Sequence, residues 1–170
     1  MKKTKLITFC ALMASLGTVV LFLGGITKVL DLTAVMIATA LVYVAFEEAR
    51  YYSALVYLVI SGLALLLPLE MSVKVEFWIF GIYPIVKAIF EKLPNVIAWI
   101  LKSVFMVFSF VGLTLLLQFV LGYPEVWYIN LIFCVAGVFM YVLFDIALTR
   151  FSKYYRGKLR HQLRIDRFFR

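Results

Sequence analysis

The chain predicts an all-α fold: a polytopic membrane protein with six transmembrane helices, both termini on the inner side, and a basic cytoplasmic C-terminal tail. Hydrophobic residues make up 65% of its 170 residues and charged residues only 15%, whereas a soluble domain is nearer half apolar and a quarter charged. The apolar residues form six long stretches, and the positive charge falls almost entirely on one side of them.

Short breaks separate the six apolar stretches. A spanning helix needs about 20 apolar residues, and the candidate spans are Leu6–Gly25, Leu32–Phe46, Tyr52–Leu69, Phe77–Phe90, Val96–Leu121 and Val126–Thr149. The breaks are Ile26–Asp31, Glu47–Tyr51, Glu70–Glu76, Glu91–Asn95 and Gly122–Glu125. Breaks this short predict antiparallel neighbours. We therefore expect one bundle over residues 1–150 and a tail over residues 151–170.

The basic residues predict the orientation of the bundle. With the N-terminus in the cytoplasm, 15 of the 17 lysines and arginines fall inside and two, Lys28 and Lys74, fall outside. Eight of the 15 lie in the tail from Arg150 to Arg170. This is a strong positive-inside pattern. We expect a multi-pass protein of the plasma (cytoplasmic) membrane, with a bacterial cell as its source.

The fourth span is short and carries two helix-disturbing residues. Phe77–Phe90 has 14 residues and contains Gly81 and Pro84. A broken helix of this kind often marks a binding site in transporters, while a simple kink would serve packing alone. Extending the span to Val73 allows a full crossing, with Lys74 at the interface.

The predicted outer breaks combine carboxylates with aromatic rings. Carboxylates attract cations and aromatic faces hold a cation or stack on a ring, so one interpretation is an outward pocket for a cationic or ring-containing solute. The other is a solvated rim with an aromatic belt. The candidate substrate-binding residues are Asp31, Glu70, Glu76, Trp78, Tyr83, Tyr123, Glu125, Trp127 and Asn130. Asn130 is included because an amide within a span needs a partner.

Three charged residues lie inside or near the ends of spans: Lys87, Lys102 and Asp145. Charges within a membrane are candidates for functional sites. They also serve as anchors, because lysines near a span's end extend to the headgroups. Lys87 precedes Glu91 by four residues, which predicts an ion pair on one helix face. Asp145 is expected to pair with Arg150 or with a lysine on a neighbouring helix.

Two further segments indicate contacts with partners. Ala11 and Ser15 lie four residues apart on the first span, and small residues at this spacing let another helix approach closely. The tail mixes lysine and arginine with Tyr, Leu and Phe, which favours an amphipathic segment on the inner leaflet. Nothing beyond charge favours nucleic acid, so membrane lipid is the expected acidic partner.

The sequence gives little support for catalysis or metal binding. Cys10 and Cys134 lie in apolar stretches and the one histidine, His161, lies in the tail, so we expect the cysteines to pack as small apolar residues and expect no metal site. The chain has no Gly-rich phosphate loop and no nucleophile–base pattern. We expect a protein that is not an enzyme and needs no cofactor.

The plan and the first span together resemble the substrate-binding S components of energy-coupling factor (ECF) transporters. The resemblance lies in the basic start and the run Lys5-Leu-Ile-Thr-Phe-Cys-Ala-Leu-Met-Ala-Ser15. Members of that family carry an Ala-xxx-Ala face on the first helix, which contacts the shared transmembrane coupling subunit; Ala11 and Ser15 match it, with serine in place of the second alanine. The resemblance implies six helices and a solute site near the outer surface, capped by Ile26–Asp31. No motif here matches a vitamin-specific member.

The leading hypothesis is a substrate-binding membrane subunit of an uptake transporter for a small vitamin-like or cationic solute. A transmembrane coupling subunit and ATPase subunits would be its partners, since the chain has no nucleotide-binding motif. The alternative is a structural or scaffold subunit of a membrane complex, such as the cell-envelope machinery. A membrane enzyme acting on lipid is a third possibility, disfavoured by the missing catalytic groups.

Overall fold

A computed structural model describes residues 3–27, 31–121 and 127–160, without the side chains at 113–114, 116–121, 127–130 and 133–134. These residues form helices and contain no β-strand. The helices are α1 (Lys3–Thr27), α2 (Asp31–Ala49), α3 (Ser53–Leu66), α4 (Met71–Phe90), α5 (Asn95–Leu121) and α6 (Trp127–Tyr154). A 3-10 turn, Arg50–Tyr52, joins α2 to α3, and a π-helical turn, Tyr155–Leu159, extends α6.

Several helices are long and apolar enough to cross a membrane, which indicates a membrane protein. Among the described residues, four stretches qualify by length and composition: Lys3–Thr27, Asp31–Leu66, Asn95–Gly112 and Val135–Leu159. Asp31–Leu66 unites the predicted second and third spans, because the 3-10 turn leaves no gap between α2 and α3. The fourth helix does not qualify, since it carries Lys74, Glu76 and Lys87 within 20 residues.

The predicted break at Glu70–Glu76 is wrong in its length. Helix α4 begins at Met71, so Lys74 and Glu76 lie in its first two turns. The helix is continuous to Phe90 through Gly81 and Pro84, and it is not broken. Proline has no N–H and removes one bond to the carbonyl four residues earlier, but the remaining bonds of a helix this long maintain it.

The chain divides into two compact units, of which the first comprises Met1–Ile85 and Thr149–Arg170. Here α1 packs along α2 and also against α3. A Cβ on Gly17 would lie 2.7 Å from Ile60, and one on Gly25 would lie 2.5 Å from Leu69. The first contact is with α3 and the second is with the segment directly after its end at Leu66, so α1 and α3 run parallel. The chain therefore reverses direction at each end of α2.

Helix α3 also pairs with the first half of α4. The Tyr57 ring lies 5.9 Å from the Phe77 ring, and its hydroxyl donates to the Trp78 carbonyl at 2.8 Å. Nearer the turn, the Lys74 ammonium donates to the Leu65 carbonyl at 3.3 Å. A cation at this position satisfies a terminal carbonyl of α3 and is favoured by the helix dipole. These contacts make α3 and α4 antiparallel.

The second unit, Val86–Leu148, contains the end of α4, helix α5 and most of α6. Tyr141 is fully buried on α6, and the rings of Phe105 and Phe110 from α5 meet it edge-on at 6.5 and 6.0 Å. Edge-on aromatic pairs contribute about 0.5–1.5 kcal/mol each beyond area burial. Close to them, Gly137 faces the Phe110 ring so closely that a Cβ would collide with it. Helices α5 and α6 therefore pack in direct contact.

Candidate functional site

Two of the predicted solute-binding carboxylates, Asp31 and Glu76, belong to the first unit and lie within range of each other's charge. Asp31 begins α2, where the helix dipole favours a negative charge, and Glu76 lies in the second turn of α4. Both are partly buried, and the two carboxylates are close enough for their like charges to interact unfavourably. Among the described residues, Asp31 Oδ1 is buried without a hydrogen-bond partner. The pair therefore has the charge and a spare acceptor for a cationic or hydrogen-bond-donating group.

The two predicted aromatic residues of α4 differ in their burial. Trp78 lies two residues after Glu76 and is partly buried. Its carbonyl is held by the Tyr57 hydroxyl, a residue that the sequence did not identify because it lies in an uninterrupted apolar run. Tyr83, by contrast, is completely buried. Each residue of a helix is rotated by about 100° from the one before it, so the side chains of Glu76 and Trp78 lie on nearly opposite sides of α4. The assignment of Trp78 and Tyr83 to a pocket therefore stays a prediction.

The remaining predicted solute-binding residues are distributed differently. Glu70 is exposed in the turn before α4. Tyr123 and Glu125 lie outside the described residues, and Trp127 and Asn130 lie in the first turn of α6, where the side chains are outside the description. The assignment of these residues to a pocket therefore stays a prediction.

The two small residues of the first helix line an apolar groove. Ala11 and Ser15 are both exposed, and with Cys10, Leu55 and Val59 they border a groove of about 440 Å³ between α1 and α3. The Ser15 hydroxyl donates to the Leu12 carbonyl at 2.9 Å, so it does not leave a polar group unsatisfied in this apolar setting. Because small and apolar side chains line the groove, a helix of a partner protein can pack closely into it.

A buried ionic cluster occupies the second unit. The Lys87 ammonium lies 2.5 Å from Asp145 Oδ1 and donates to the Asp145 carbonyl at 3.0 Å. The Lys102 ammonium lies 3.5 Å from Asp145 Oδ2 and 3.2 Å from Glu91 Oε1. The predicted Lys87–Glu91 pair is confirmed at 3.6 Å. Two lysines and two carboxylates make a cluster of zero net charge, in which each lysine contacts both acids.

Burial makes this cluster energetically sensitive. The side chains of Lys87, Lys102 and Asp145 are 4, 8 and 7% exposed, while that of Glu91 is 47% exposed. The expectation that Asp145 pairs with a helix lysine is confirmed, and it pairs with two. Buried charges are tolerated when paired and hydrogen-bonded. The cluster therefore joins α4, α5 and α6 at one level of the unit.

A second polar cluster holds the C-terminal segment against α2 in the first unit. The Tyr43 hydroxyl contacts both Glu47 and Ser152, and Arg156 donates to the Ser152 hydroxyl at 2.6 Å. Arg156 also lies 3.7 Å from Glu47. Arg156 thus reaches Glu47 from the far end of the chain.

Glu48 receives the other half of this contact. Its carboxylate accepts from the Tyr155 hydroxyl at 3.2 Å and faces the Arg160 guanidinium at 3.1 and 3.3 Å. Below these polar groups, Phe151 and Leu159 pack around the buried Tyr155 ring. The first ten residues of the predicted tail are therefore part of the folded unit, while residues 161–170 lie outside the description.

Comparison of the chain with protein-family models, curated proteins and solved structures found no match.

Proposed function

We propose that the protein is the substrate-binding membrane subunit of an uptake transporter for a small cationic solute, with its energy supplied by separate ATPase subunits. The observation that carries the proposal is the Asp31–Glu76 carboxylate pair, in which Asp31 Oδ1 is buried without a partner among the described residues. Two partly buried carboxylates repel each other, and a bound cation removes that repulsion. Their arrangement thus favours capture of a positive charge.

The burial of the two carboxylates supports the same ligand class. Both are partly buried, and a charge that is partly removed from water is stabilised by a partner of opposite sign. Substrate-binding pockets typically combine an apolar wall with a few charged groups of this kind. We infer a solute that carries a positive charge.

The proposed topology has six crossings and both termini in the cytoplasm. The positive-inside rule supports it, since 15 of the 17 basic residues would then face inward. Asp31 and Glu76 would face outward on this threading, where a solute first meets the membrane. The alternating direction of α1, α2, α3 and α4 agrees with this arrangement.

The groove between α1 and α3 supports a coupling partner. In the proposed complex, Ala11 and Ser15 contact a helix of a transmembrane coupling subunit, as the resemblance to ECF S components implies. Both residues are exposed and the groove is apolar, so a helix would bury it without desolvating charge. The coupling subunit would in turn connect to the ATPases.

Substitution of the carboxylates tests the proposal. The purified protein is titrated with a panel of small organic cations while its Trp fluorescence is recorded. Removing one partner of a charged contact costs about 1.5–3 kcal/mol, so Asp31→Asn or Glu76→Gln should weaken binding about 10- to 100-fold. Glu91→Gln removes the same charge from an exposed position on the predicted inner side and is the matched control, expected to change affinity less than about 3-fold.

The outcomes separate the two hypotheses. No response to any cation in a folded sample, or equal losses in all three variants, would contradict the proposed pocket. Affinity purification gives a second readout, because a transporter subunit should bring down ATPase subunits. Recovery of cell-envelope synthesis proteins alone would instead favour the scaffold hypothesis.

A further inference from the structure

The C-terminal helix has one side that is committed to the protein itself. Phe151, Tyr155 and Leu159 recur every four residues and pack against α1 and α2. On the adjacent stripe, Arg156 and Arg160 engage the acids of α2. The apolar side of this helix therefore packs within the first unit and does not face a bilayer. Arg156 and Arg160 are likewise engaged within the unit.

The opposite side of the same helix is basic and open. Arg150, Lys153, Tyr154, Gly157 and Lys158 are all exposed, and their spacing of three and four residues places them on one face. We call this set the basic face. Among the described residues, no acidic side chain forms an ion pair with Arg150, Lys153 or Lys158. Gly157 has no heavy atom within 4 Å of a would-be Cβ, so the middle of the face is flat.

On the predicted threading, the length of α6 puts this face at the inner membrane surface. The helix begins at Trp127, a residue type enriched at membrane interfaces. A helix rises 1.5 Å per residue, so about 20 residues cross a hydrocarbon core of about 30 Å. Counted from Trp127, the core ends near residue 147. Arg150 and Lys153 then lie at headgroup level, and Lys158 lies about one to two turns further out.

We propose that the basic face binds the headgroups of anionic phospholipids. Its charges are complementary to lipid phosphate, and the exposed Tyr154 ring has the amphipathic character favoured at headgroup level. Binding is by the helix surface and requires no insertion of the segment, because the apolar side faces the protein. This contact goes beyond the proposed transport function and does not depend on it.

Thermal unfolding of the full-length protein in neutral detergent tests this contact. Ligands that bind the folded state raise the unfolding temperature, so phosphatidylglycerol should raise it and phosphatidylcholine should not. The triple variant Arg150→Gln, Lys153→Gln, Lys158→Gln should need a concentration of phosphatidylglycerol on the order of 100-fold higher, given the usual contribution of each basic residue near an anionic surface. Added salt should weaken the effect in the wild type.

Two control variants make the result specific. The double variant Arg156→Gln, Arg160→Gln should lower the unfolding temperature without lipid yet retain the wild-type lipid concentration dependence. Lys153→Arg with Lys158→Arg preserves the charge and should behave as wild type. The proposal is overturned if the triple variant titrates like the wild type. It is also overturned if phosphatidylcholine or soluble polyglutamate protects equally well.

Discussion

Asp145 joins three helices of the second unit through its two carboxylate oxygens. One oxygen faces Lys87 of α4 and the other faces Lys102 of α5. With Asp145 gone, both ammonium groups would remain buried and only the half-exposed Glu91 would be left to balance them. Unpaired buried charge is much more costly than the loss of an exposed pair.

Asp145→Asn should therefore destabilise the protein by about 3–5 kcal/mol. Glu91→Gln, at the exposed edge of the cluster, should cost about 1 kcal/mol or less. Denaturant unfolding in detergent measures both. The double variant Asp145→Leu, Lys87→Met removes a charge of each sign, and it should be more stable than the sum of its single changes predicts. Strict additivity would show that the two residues do not interact.

Sequence spacing identified the Lys87–Glu91 pair of this cluster, and for Asp145 the sequence indicated a helix lysine as partner without identifying which one. Lys87 and Glu91 are four residues apart, so their pairing follows from helix geometry. Asp145 is 58 residues from Lys87, and such a separation leaves no local signal of contact. The same holds for Glu48 and Arg160, which are 112 residues apart. Charge type could be predicted from the sequence, whereas the choice of partner depended on tertiary packing.

At the scale of the elements, helix ends were predictable because they follow breaks in hydrophobicity. The exceptions are α4, which begins at Met71 inside the predicted break, and α6, which continues past the predicted end at Thr149 to Tyr154. Lys74 and Glu76 interrupt the apolar run, yet Lys74 caps α3 and Glu76 adjoins Asp31. A hydropathy pattern therefore predicts a loop at this position, because it cannot distinguish a loop from a helix whose charged residues contact neighbouring elements.

Helices α5 and α6 depend on one close approach. Gly137→Ala should destabilise the protein by about 1–3 kcal/mol, because the new Cβ would collide with the Phe110 ring. Gly112→Ala is the matched control on α5. No heavy atom lies within 4 Å of its would-be Cβ, and alanine is the better helix former. The control should leave stability unchanged or raise it by up to about 1 kcal/mol.

Unfolding midpoints of the two glycine variants, measured in one detergent, give the comparison. A truncation at the contact provides a further check, since Phe110→Leu should recover part of the loss caused by Gly137→Ala. Equal effects of the two alanine substitutions would mean that α5 and α6 tolerate a wider separation than the structure has.

For the whole molecule, the decisive property is the asymmetry of charge along the chain. Fifteen of the 17 basic residues fall on the predicted inner side. The reverse orientation would place these residues outside, which the positive-inside rule disfavours. The proposed Asp31–Glu76 solute site then lies on the outer side of the membrane, and the basic face of the C-terminal helix lies on the inner side. Their assignment can be tested without knowing the solute.

Labelling of intact cells with a membrane-impermeant thiol reagent should reveal this orientation. In a background with Cys10 and Cys134 replaced, Glu70→Cys should be labelled directly, because Glu70 is exposed at the predicted outer end. Gly157→Cys, equally exposed, should be labelled only after the cells are permeabilised. Labelling of Gly157→Cys in intact cells would reverse the threading or remove one crossing.

The uninterrupted helical path from Asp31 to Leu66 has a consequence for biosynthesis. Its two arms fold back on each other around three residues, Arg50–Tyr52, so no free linker exists in which the chain could pause between them. At 1.5 Å per residue the 36 residues would extend about 54 Å, far more than one crossing requires. We expect the two arms to insert into the membrane together as a helical hairpin, because a three-residue turn keeps the end of α2 next to the start of α3.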